Sequence, residues 1–197
     1  ESKKKVDFFT RQYIDALSPS NFAFTNPQVL RETMKTGGHN LVKGLNNLLE
    51  DLDEGDGQLR IKMTDMNAFK LGVNVATSKG KVVYQNELMQ IIQYDPLTPE
   101  QYRRPLLIVP PWINKFYILD LREKNSFIKW CVDQGISTFV ISWTNPDAKL
   151  AEADFEDYLA QGTLAALAAV EAATGEPDVN ALGYCLGGTL LAAVLGY

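Results

Sequence analysis

Residues 179–196 constrain the fold of this chain more than any other stretch. A short apolar strand leads into Gly183-Tyr184-Cys185-Leu186-Gly187, and a run of small and apolar residues typical of a helix follows directly. A turn this tight strains the backbone of its central residue and leaves no room for side chains two residues before and after it. Gly183 and Gly187 occupy those two positions. The pattern therefore predicts a sharp strand–turn–helix unit with Cys185 at its apex.

A glycine-x-nucleophile-x-glycine sequence in this setting is the nucleophile elbow of the α/β-hydrolase fold, with a thiol in place of the more common serine. It predicts Cys185 as the catalytic nucleophile and the backbone N–H of Leu186 as one donor to an oxyanion. A dinucleotide-binding loop would require glycine at position 185, and a phosphate-binding loop would require Gly-Lys-Ser/Thr, so neither fits. The structural alternative is a buried cysteine in a glycine-rich turn.

Two segments upstream of the elbow predict buried strands, and the first is continuously apolar, as is typical of a strand buried on both faces. They are residues 106–109 and 136–143, and the intervening patterns predict helices over residues 120–134 and 154–174. Shorter patterns over residues 71–94, with Val73 and Val75 in the first, indicate two or three strands with a hairpin. This alternation predicts an α/β-hydrolase fold with a mostly parallel, doubly wound sheet that is incomplete within these residues.

The site of such a sheet lies at the carboxyl ends of its strands, and the loop at residues 110–114 follows one of them. Hydrolase folds supply a second oxyanion donor from this loop. Because Pro111 has no N–H, the donor is the backbone of Trp112 or Ile113, and the sequence does not distinguish the two. Trp112, Phe116 and Tyr117 either line an acyl pocket or belong to the core.

Residues 1–70 predict an N-terminal helical region, and residues 71–197 predict the first part of the catalytic domain, which is truncated after the elbow. Residues 1–17 have apolar side chains at helical spacing, and Asn26-Pro27 is typical of a helix start with an asparagine cap. An apolar stripe then runs through residues 30–52. This stripe either packs on its own domain or forms a surface for a partner, a granule or a second copy.

Composition excludes several classes of protein. A net charge of −5 and a pI near 5.0 argue against nucleic-acid binding. No apolar run reaches the length of a membrane span, and no signal-peptide core follows the N-terminal lysines. Cys131 and Cys185 therefore suit a reducing cytoplasm as free thiols, and together with His39 they lack the spacing of metal ligands. Cys131 is expected in the core, and His39 on a surface or helix rather than as the catalytic base.

Basic residues near the predicted strand ends form a cluster with two interpretations. The cluster consists of Arg103, Arg104, Lys115, Arg122 and Lys124. It is either a solvated face or a contact for an anionic acyl carrier. A contact would appear as a changed dependence on substrate concentration when Lys115 and Arg122 are neutralised.

Three blocks of sequence together resemble the polyhydroxyalkanoate synthases. They are residues 110–121 (Pro-Pro-Trp-Ile-Asn-Lys-Phe-Tyr-Ile-Leu-Asp-Leu), 142–146 (Ser-Trp-Thr-Asn-Pro) and 183–188 (Gly-Tyr-Cys-Leu-Gly-Gly). Residues 25–30 (Thr-Asn-Pro-Gln-Val-Leu) resemble the N-terminal region of the class that polymerises short-chain (R)-3-hydroxyacyl-CoA. The resemblance covers nearly the whole chain. One departure is Thr144, where the family often has arginine.

The resemblance implies an acyltransferase that polymerises (R)-3-hydroxyacyl-CoA, expected to be 3-hydroxybutyryl-CoA, into polyhydroxyalkanoate with release of CoA. The Cys185 thiolate would form a covalent thioester, which the hydroxyl of another hydroxyacyl unit on the growing polyester chain would attack. The resemblance further implies a homodimer on cytoplasmic polyester granules, and no cofactor, since the CoA thioester is the substrate. The catalytic histidine and aspartate are expected beyond residue 197, so residues 1–197 alone are expected to be inactive.

Two other functions are compatible with these residues. A cysteine-nucleophile α/β-hydrolase, either an intracellular polyester depolymerase or a thioesterase, would transfer the acyl group to water. A non-catalytic module with a vestigial elbow would bind polymer without thiol reactivity at Cys185, although backbone strain without a function is not expected to persist. The product distinguishes the two enzymes, because one forms polymer and the other forms free hydroxy acid.

Overall fold

The computed structural model describes residues 2–65 and 67–197 and divides the chain into two compact units, with the boundary between residues 65 and 66. The sequence analysis places the boundary a few residues later, after residue 70. Glu1 and Met66, which fall in the predicted helical region, lie outside the described residues.

Helices dominate the N-terminal unit: α1 (Ser2–Ala16), a short 3-10 turn (Pro19–Asn21), α2 (Pro27–Thr36) and α3 (His39–Glu54). The predicted start of α2 is confirmed, because the Asn26 side chain accepts hydrogen bonds from the N–H groups of Gln28 and Val29, and Pro27 occupies the first helical position. Gly37 ends α2 in the left-handed conformation, with φ 59°. This turn separates the part of the apolar stripe on α2 from the part on α3.

The apolar stripe of α2 and α3 is solvent-exposed. Neither helix has a buried residue, and Met34 is 76% exposed. The exposed members of the stripe are Leu30, Met34, Leu41, Leu45, Leu48 and Leu49. The N-terminal unit therefore carries an apolar surface.

Seven strands lie in the described part of the second unit, residues 67–197: β1 (Gly80–Gln85), β2 (Met89–Tyr94), β3 (Tyr102–Val109), β4 (Asp120–Arg122), β5 (Asn125–Ser126), β6 (Ile136–Trp143) and β7 (Asn180–Gly183). Five of them form one sheet in the order β1–β2–β6–β3–β7. β3 runs parallel to β6 and β7, whereas β2 is antiparallel to both β1 and β6. The sheet is therefore mixed, and the predicted parallel arrangement holds only for β6, β3 and β7.

The helices of this unit are α4 (Phe127–Asp133), α5 (Phe155–Asp157), a π-helix (Tyr158–Leu164), α6 (Ala165–Thr174) and α7 (Leu186–Gly196), with 3-10 turns at Phe116–Leu119 and Ala148–Leu150. Helical structure over residues 155–174 confirms the predicted helix, which begins at a capping box formed by Asp154 and Asp157. The sequence pattern of residues 154–174 predicts a helix but does not distinguish the π-helix within it from an α-helix. No helix within the described ranges is both long and apolar enough to cross a membrane.

The predicted helix over residues 120–134 is wrong in its first half, where β4 and β5 form a small hairpin instead. Asp120 is fully buried, and its carboxylate accepts hydrogen bonds from the Ser78 N–H, the Ser78 hydroxyl and the Ser126 hydroxyl at 2.6–3.1 Å. These bonds hold Asp120 and Ser126 outside a helix, because a buried carboxylate needs its donors in place. Ser126 then caps α4 by accepting from the Lys129 N–H.

The predicted strand at Val73 and Val75 is also wrong. Only an isolated bridge joins Leu71 to Val75, and Gly72 adopts φ 74° between them. The two following strands and their hairpin are confirmed as β1 and β2.

The core has two layers, one on each face of the sheet. Along β3, Leu107 and Val109 face one layer and Ile108 faces the other, because side chains alternate along a strand. Helices α6 and α7 cover the first layer through Val170 and Leu190, and α4 covers the second. Burial on both faces is the reason that residues 106–109 of β3 and 139–141 of β6 are continuously apolar. Cys131 of α4 is fully buried, as predicted, and this burial raises the pKa of its thiol to about 11.

Candidate active site

Tyr184 and Cys185 alone connect the end of β7 at Gly183 to the start of α7 at Leu186. The Cys185 backbone adopts φ 55° and ψ −122°, a left-handed region that non-glycine residues rarely occupy. The side chain is exposed. The predicted strand–turn–helix is therefore present, and its strained apex carries a thiol.

Close backbone contacts explain both elbow glycines. A Cβ on Gly183 would lie 2.5 Å from the Cα of Gly188, and a Cβ on Gly187 would overlap the carbonyl oxygen of Val109. Both distances are far below van der Waals contact, so neither position accepts a side chain without movement of the backbone. The glycines permit α7 to begin directly against the end of β3.

Hydrogen bonds fix the elbow to its neighbours. The Tyr184 N–H donates to the Val109 carbonyl over 3.0 Å, which extends the pairing of β3 and β7 into the turn. The N–H groups of Gly187 and Gly188 donate to the carbonyls of Tyr184 and Cys185, both over 2.9 Å. The apex is therefore held at the carboxyl end of β3, immediately before residues 110–114.

The loop at residues 110–114 begins with two buried prolines and closes as a turn, in which the Asn114 N–H donates to the Pro111 carbonyl over 3.2 Å. Across residues 2–65 and 67–197, the backbone N–H groups of Trp112, Ile113 and Leu186 donate to no protein acceptor. One of these unpaired N–H groups, that of Leu186, directly follows Cys185. The other two follow β3, the strand that pairs with β7. The structure leaves both Trp112 and Ile113 available as the second oxyanion donor.

Aromatic residues pack behind this loop. Trp112 lies 5.1 Å from Tyr158, 6.3 Å from Phe155 and 6.4 Å from Trp143 between ring centroids. Phe116 instead packs against the core layer on the opposite face of the sheet. Trp112 and Phe116 therefore contact opposite layers of the core, and Tyr117 lies 5.3 Å from Phe116 between ring centroids.

The five basic residues do not form one cluster. Arg103 pairs with Glu176 and Arg104 with Asp178, both at 2.7 Å, at the amino end of β3 and so at the opposite edge of the sheet from the elbow. Arg122 lines a separate cleft with Lys79 and Lys129. The prediction of a single cluster is wrong because Arg103 and Arg104 lie near the amino end of β3, whereas Lys115 follows its carboxyl end. 

Of the five basic residues, Lys115 is the one that directly follows the loop at residues 110–114. Its side chain is exposed, and its ammonium donates to the Asn145 side-chain oxygen. Asn145 follows β6, so this bond joins the loops after two adjacent strands at the carboxyl edge of the sheet. Lys115 is therefore the basic residue of the predicted set that remains a candidate for contact with an anionic acyl carrier.

The remaining residues considered in the sequence are His39 and the possible metal ligands. His39 is exposed at the start of α3 in the N-terminal unit, as expected for a surface or helix residue. In the part of the chain that the structure describes, no three His, Cys, Asp or Glu side chains gather as metal ligands would. Sequence reasoning did not predict that the Trp143 indole donates to the Pro110 carbonyl, or that Gly162 of the π-helix packs against this indole. A glycine within an alanine-rich helical pattern is the one local sign of the packing between Gly162 and Trp143.

Comparison with known proteins gives one family and several relatives. Residues 1–131 match the family model described as "Poly-beta-hydroxybutyrate polymerase (PhaC) N-terminus". The chain is 53% identical to the poly(3-hydroxyalkanoate) polymerase of Methylorubrum extorquens over 196 residues, which cover 100% of this chain and 32% of that protein. It is 56% identical to the poly(3-hydroxyalkanoate) polymerase subunit PhaC of Rhizobium etli, covering 98% and 30%, and 41% identical to that of Cupriavidus necator, covering 99% and 32%. The chain thus spans about a third of the length of the curated relatives it matches.

Proposed function

Because this chain belongs to the poly-beta-hydroxybutyrate polymerase (PhaC) family, we propose that it carries the nucleophile of an acyltransferase that polymerises (R)-3-hydroxyacyl-CoA into polyhydroxyalkanoate. The resemblance seen in the sequence blocks is confirmed by the family match and the relatives. The observation that carries the proposal is the strained and exposed position of Cys185 between β7 and α7. The parallel strands β6, β3 and β7 beside this elbow support an α/β-hydrolase fold.

In the first step, the Cys185 sulfur attacks the acyl carbonyl carbon of the hydroxyacyl-CoA. A carbon–sulfur bond to the enzyme forms, the bond to CoA breaks, and the proton from the Cys185 thiol passes to the departing CoA. Exchange of one thioester for another keeps the acyl group activated, whereas a serine would form a more stable oxygen ester. The unpaired N–H groups of Leu186 and of Trp112 or Ile113 support a role as donors to the oxyanion.

In the second step, the 3-hydroxyl of another hydroxyacyl unit attacks the acyl-enzyme. An ester bond forms, the carbon–sulfur bond breaks, and the hydroxyl proton returns to the Cys185 sulfur. A histidine and an aspartate expected beyond residue 197 would assist both proton transfers. The reaction needs no cofactor, and 3-hydroxybutyryl-CoA is the substrate that we propose.

The competing enzyme function differs only in the acyl acceptor. A cysteine-dependent polyester depolymerase or thioesterase would use the same elbow and transfer the acyl group to water. The polymerase is the better-supported function, since the relatives are named polymerases.

The test is the intact mass of the full-length protein after brief exposure to (R)-3-hydroxybutyryl-CoA. We expect a ladder of adducts spaced by one hydroxyacyl unit, and its absence in a Cys185→Ala variant. A single transient adduct with accumulating free acid would indicate the hydrolase. No adduct on a folded full-length protein would contradict both enzymes and favour a binding module.

We extend the proposal to the polyester granule as the partner of the N-terminal unit, in a homodimeric enzyme. The exposed stripe on α2 and α3 supports it, because a polyester particle is apolar and such a surface favours contact with it. The full-length Leu45→Lys variant is expected to bind polyester particles several-fold more weakly than Asn46→Lys, which places the same charge on the neighbouring exposed position. If Leu45→Lys instead dissociates a dimer and binds particles normally, the stripe contacts a second copy.

A further inference from the structure

The last residue of β6 carries an indole that holds the loop after β3. Trp143 is buried, and its Nε1–H donates to the carbonyl oxygen of Pro110 over 2.8 Å. Because β6 runs parallel beside β3, the two strand ends lie next to each other, and the Trp143 side chain bridges them. Both partners are buried, so removal of the donor leaves the Pro110 carbonyl without a hydrogen bond.

Three neighbours fix the indole of Trp143. Gly162 of the π-helix lies against it, since a Cβ there would stand 2.7 Å from two ring carbons. Tyr158, also in the π-helix, packs at 5.2 Å between ring centroids, and Trp112 meets the indole edge-on at 6.4 Å. π-helices occur frequently at functional sites. Here the π-helix supports the residue that binds Pro110.

The direction of the loop N–H groups follows from the Pro110 carbonyl. Pro111 has a fixed φ and no N–H, so the peptide unit held by Trp143 leads rigidly into the turn. The Pro111 carbonyl accepts from the Asn114 N–H inside the turn. The N–H of Trp112 therefore points out of the turn, because the C=O and N–H of one trans peptide unit point in opposite directions. Rotation of the Pro110 unit would redirect the N–H groups of both Trp112 and Ile113.

We infer that Trp143 is a positioning residue for acyl transfer at Cys185. Its indole N–H holds Pro110 so that the N–H of Trp112 or Ile113 faces the oxyanion. This inference rests on the proposed function and deepens it, since it names a residue that acts only through the loop. Trp143 itself touches no reacting atom in this assignment.

The experiment uses the full-length protein with Trp143→Phe, which keeps an aromatic ring and removes the N–H donor. We expect kcat to fall about 10- to 100-fold with KM within about twofold, because misplacing one donor costs less than deleting it. The rate at which iodoacetamide alkylates Cys185 should be unchanged, since attack on its saturated carbon develops no oxyanion. Trp130→Phe is the matched control, because Trp130 is 53% exposed and stacks on Phe127.

A second variant, Gly162→Ala, displaces the indole without changing it and should give the same pattern. If Trp143→Phe does not fold, the readouts on Gly162→Ala decide the question. Wild-type kcat in the folded variants overturns the inference, and so does a parallel fall of kcat and alkylation rate, which indicates a merely structural role. Wild-type protein that forms no acyl adduct on Cys185 contradicts the proposed function, whereas equal acylation of wild type and variants contradicts this inference alone.

Discussion

Gly187 lies directly against the carbonyl group of Val109, with no space between them for a Cβ. This contact joins the first turn of α7 to the last residue of β3. It therefore holds the exposed thiol of Cys185 beside the loop that contains the unpaired N–H groups of Trp112 and Ile113. A steric requirement at one glycine thus assembles the candidate active site.

Replacing Gly187 by alanine should destabilise the protein by at least about 2 kcal/mol, because the added methyl group overlaps backbone that cannot rotate away. Chemical denaturation of the full-length protein measures this change. Gly44→Ala is the control, since nothing lies within 4 Å of its Cβ position in α3 and alanine there should stabilise the helix by about 0.5–1 kcal/mol. Equal stabilities of Gly187→Ala and wild type would contradict the contact.

The two cysteines should differ sharply in reactivity. At pH 8, iodoacetamide should modify Cys185 and leave Cys131 unmodified, because Cys131 is fully buried and its pKa is raised to about 11 by that burial. Peptide mass mapping with and without urea measures the difference, and Cys131 should react only in urea. Modification of native Cys131 at the rate of Cys185 would show that the core position is wrong.

Lys115→Gln should raise KM for the acyl-CoA about three- to tenfold with kcat nearly unchanged, since a single exposed contact between an ammonium and a phosphate contributes modest binding. Steady-state kinetics of the full-length protein measures both constants. Arg104→Gln removes a charge at the opposite edge of the sheet and should leave KM unchanged. Identical KM values in the two variants and wild type would exclude Lys115 from substrate binding.

Tyr94 should limit stability at alkaline pH. Its hydroxyl is buried and meets no hydrogen-bond partner among the described residues. Burial, and then the nearby charge of Asp120, raise its pKa above the ordinary value of 10.0. The unfolded chain therefore releases the Tyr94 proton at a lower pH than the folded protein does. The free energy of unfolding is unaffected by this group below the unfolded pKa and should fall as the pH rises above about 10.

Tyr94→Phe should weaken this alkaline loss and should be at least as stable as wild type at pH 8, with a gain of up to about 1 kcal/mol from removal of an unpaired hydroxyl. Denaturation at pH 8 and at pH 10.5 measures both effects. Tyr102→Phe is the control, because Tyr102 is 70% exposed and should behave as wild type. A Tyr94→Phe protein as alkali-sensitive as wild type would contradict the prediction.

Elements with local signals were predicted closely. The predicted buried strand at 136–143 is β6, and Asn26-Pro27 begins α2 through the predicted side-chain cap. The hairpin at β4 and β5 was missed, because its cause is the bond from Asp120 to Ser78, which lies 42 residues away. The predicted mostly parallel sheet is present in part, and the antiparallel pairing of β2 with β6 was missed for the same reason. Pairing of β2 with β6 depends on where distant segments meet and not on the pattern within either.

The sequence by itself determined the strained apex of the elbow, since the steric demands of a tight turn act between nearby residues, as they do between Gly183 and Gly188 around Cys185. Gly187 is required by Val109 of β3, a contact that the tertiary structure supplies. Only the tertiary structure decided which groups surround that apex. The order of the sheet brings Trp143 to Pro110 and Lys115 to Asn145, and it sends Arg103 and Arg104 to the other edge. The backbone conformation of a tight turn depends on neighbouring residues, whereas contacts between strand ends form only once the strands have paired.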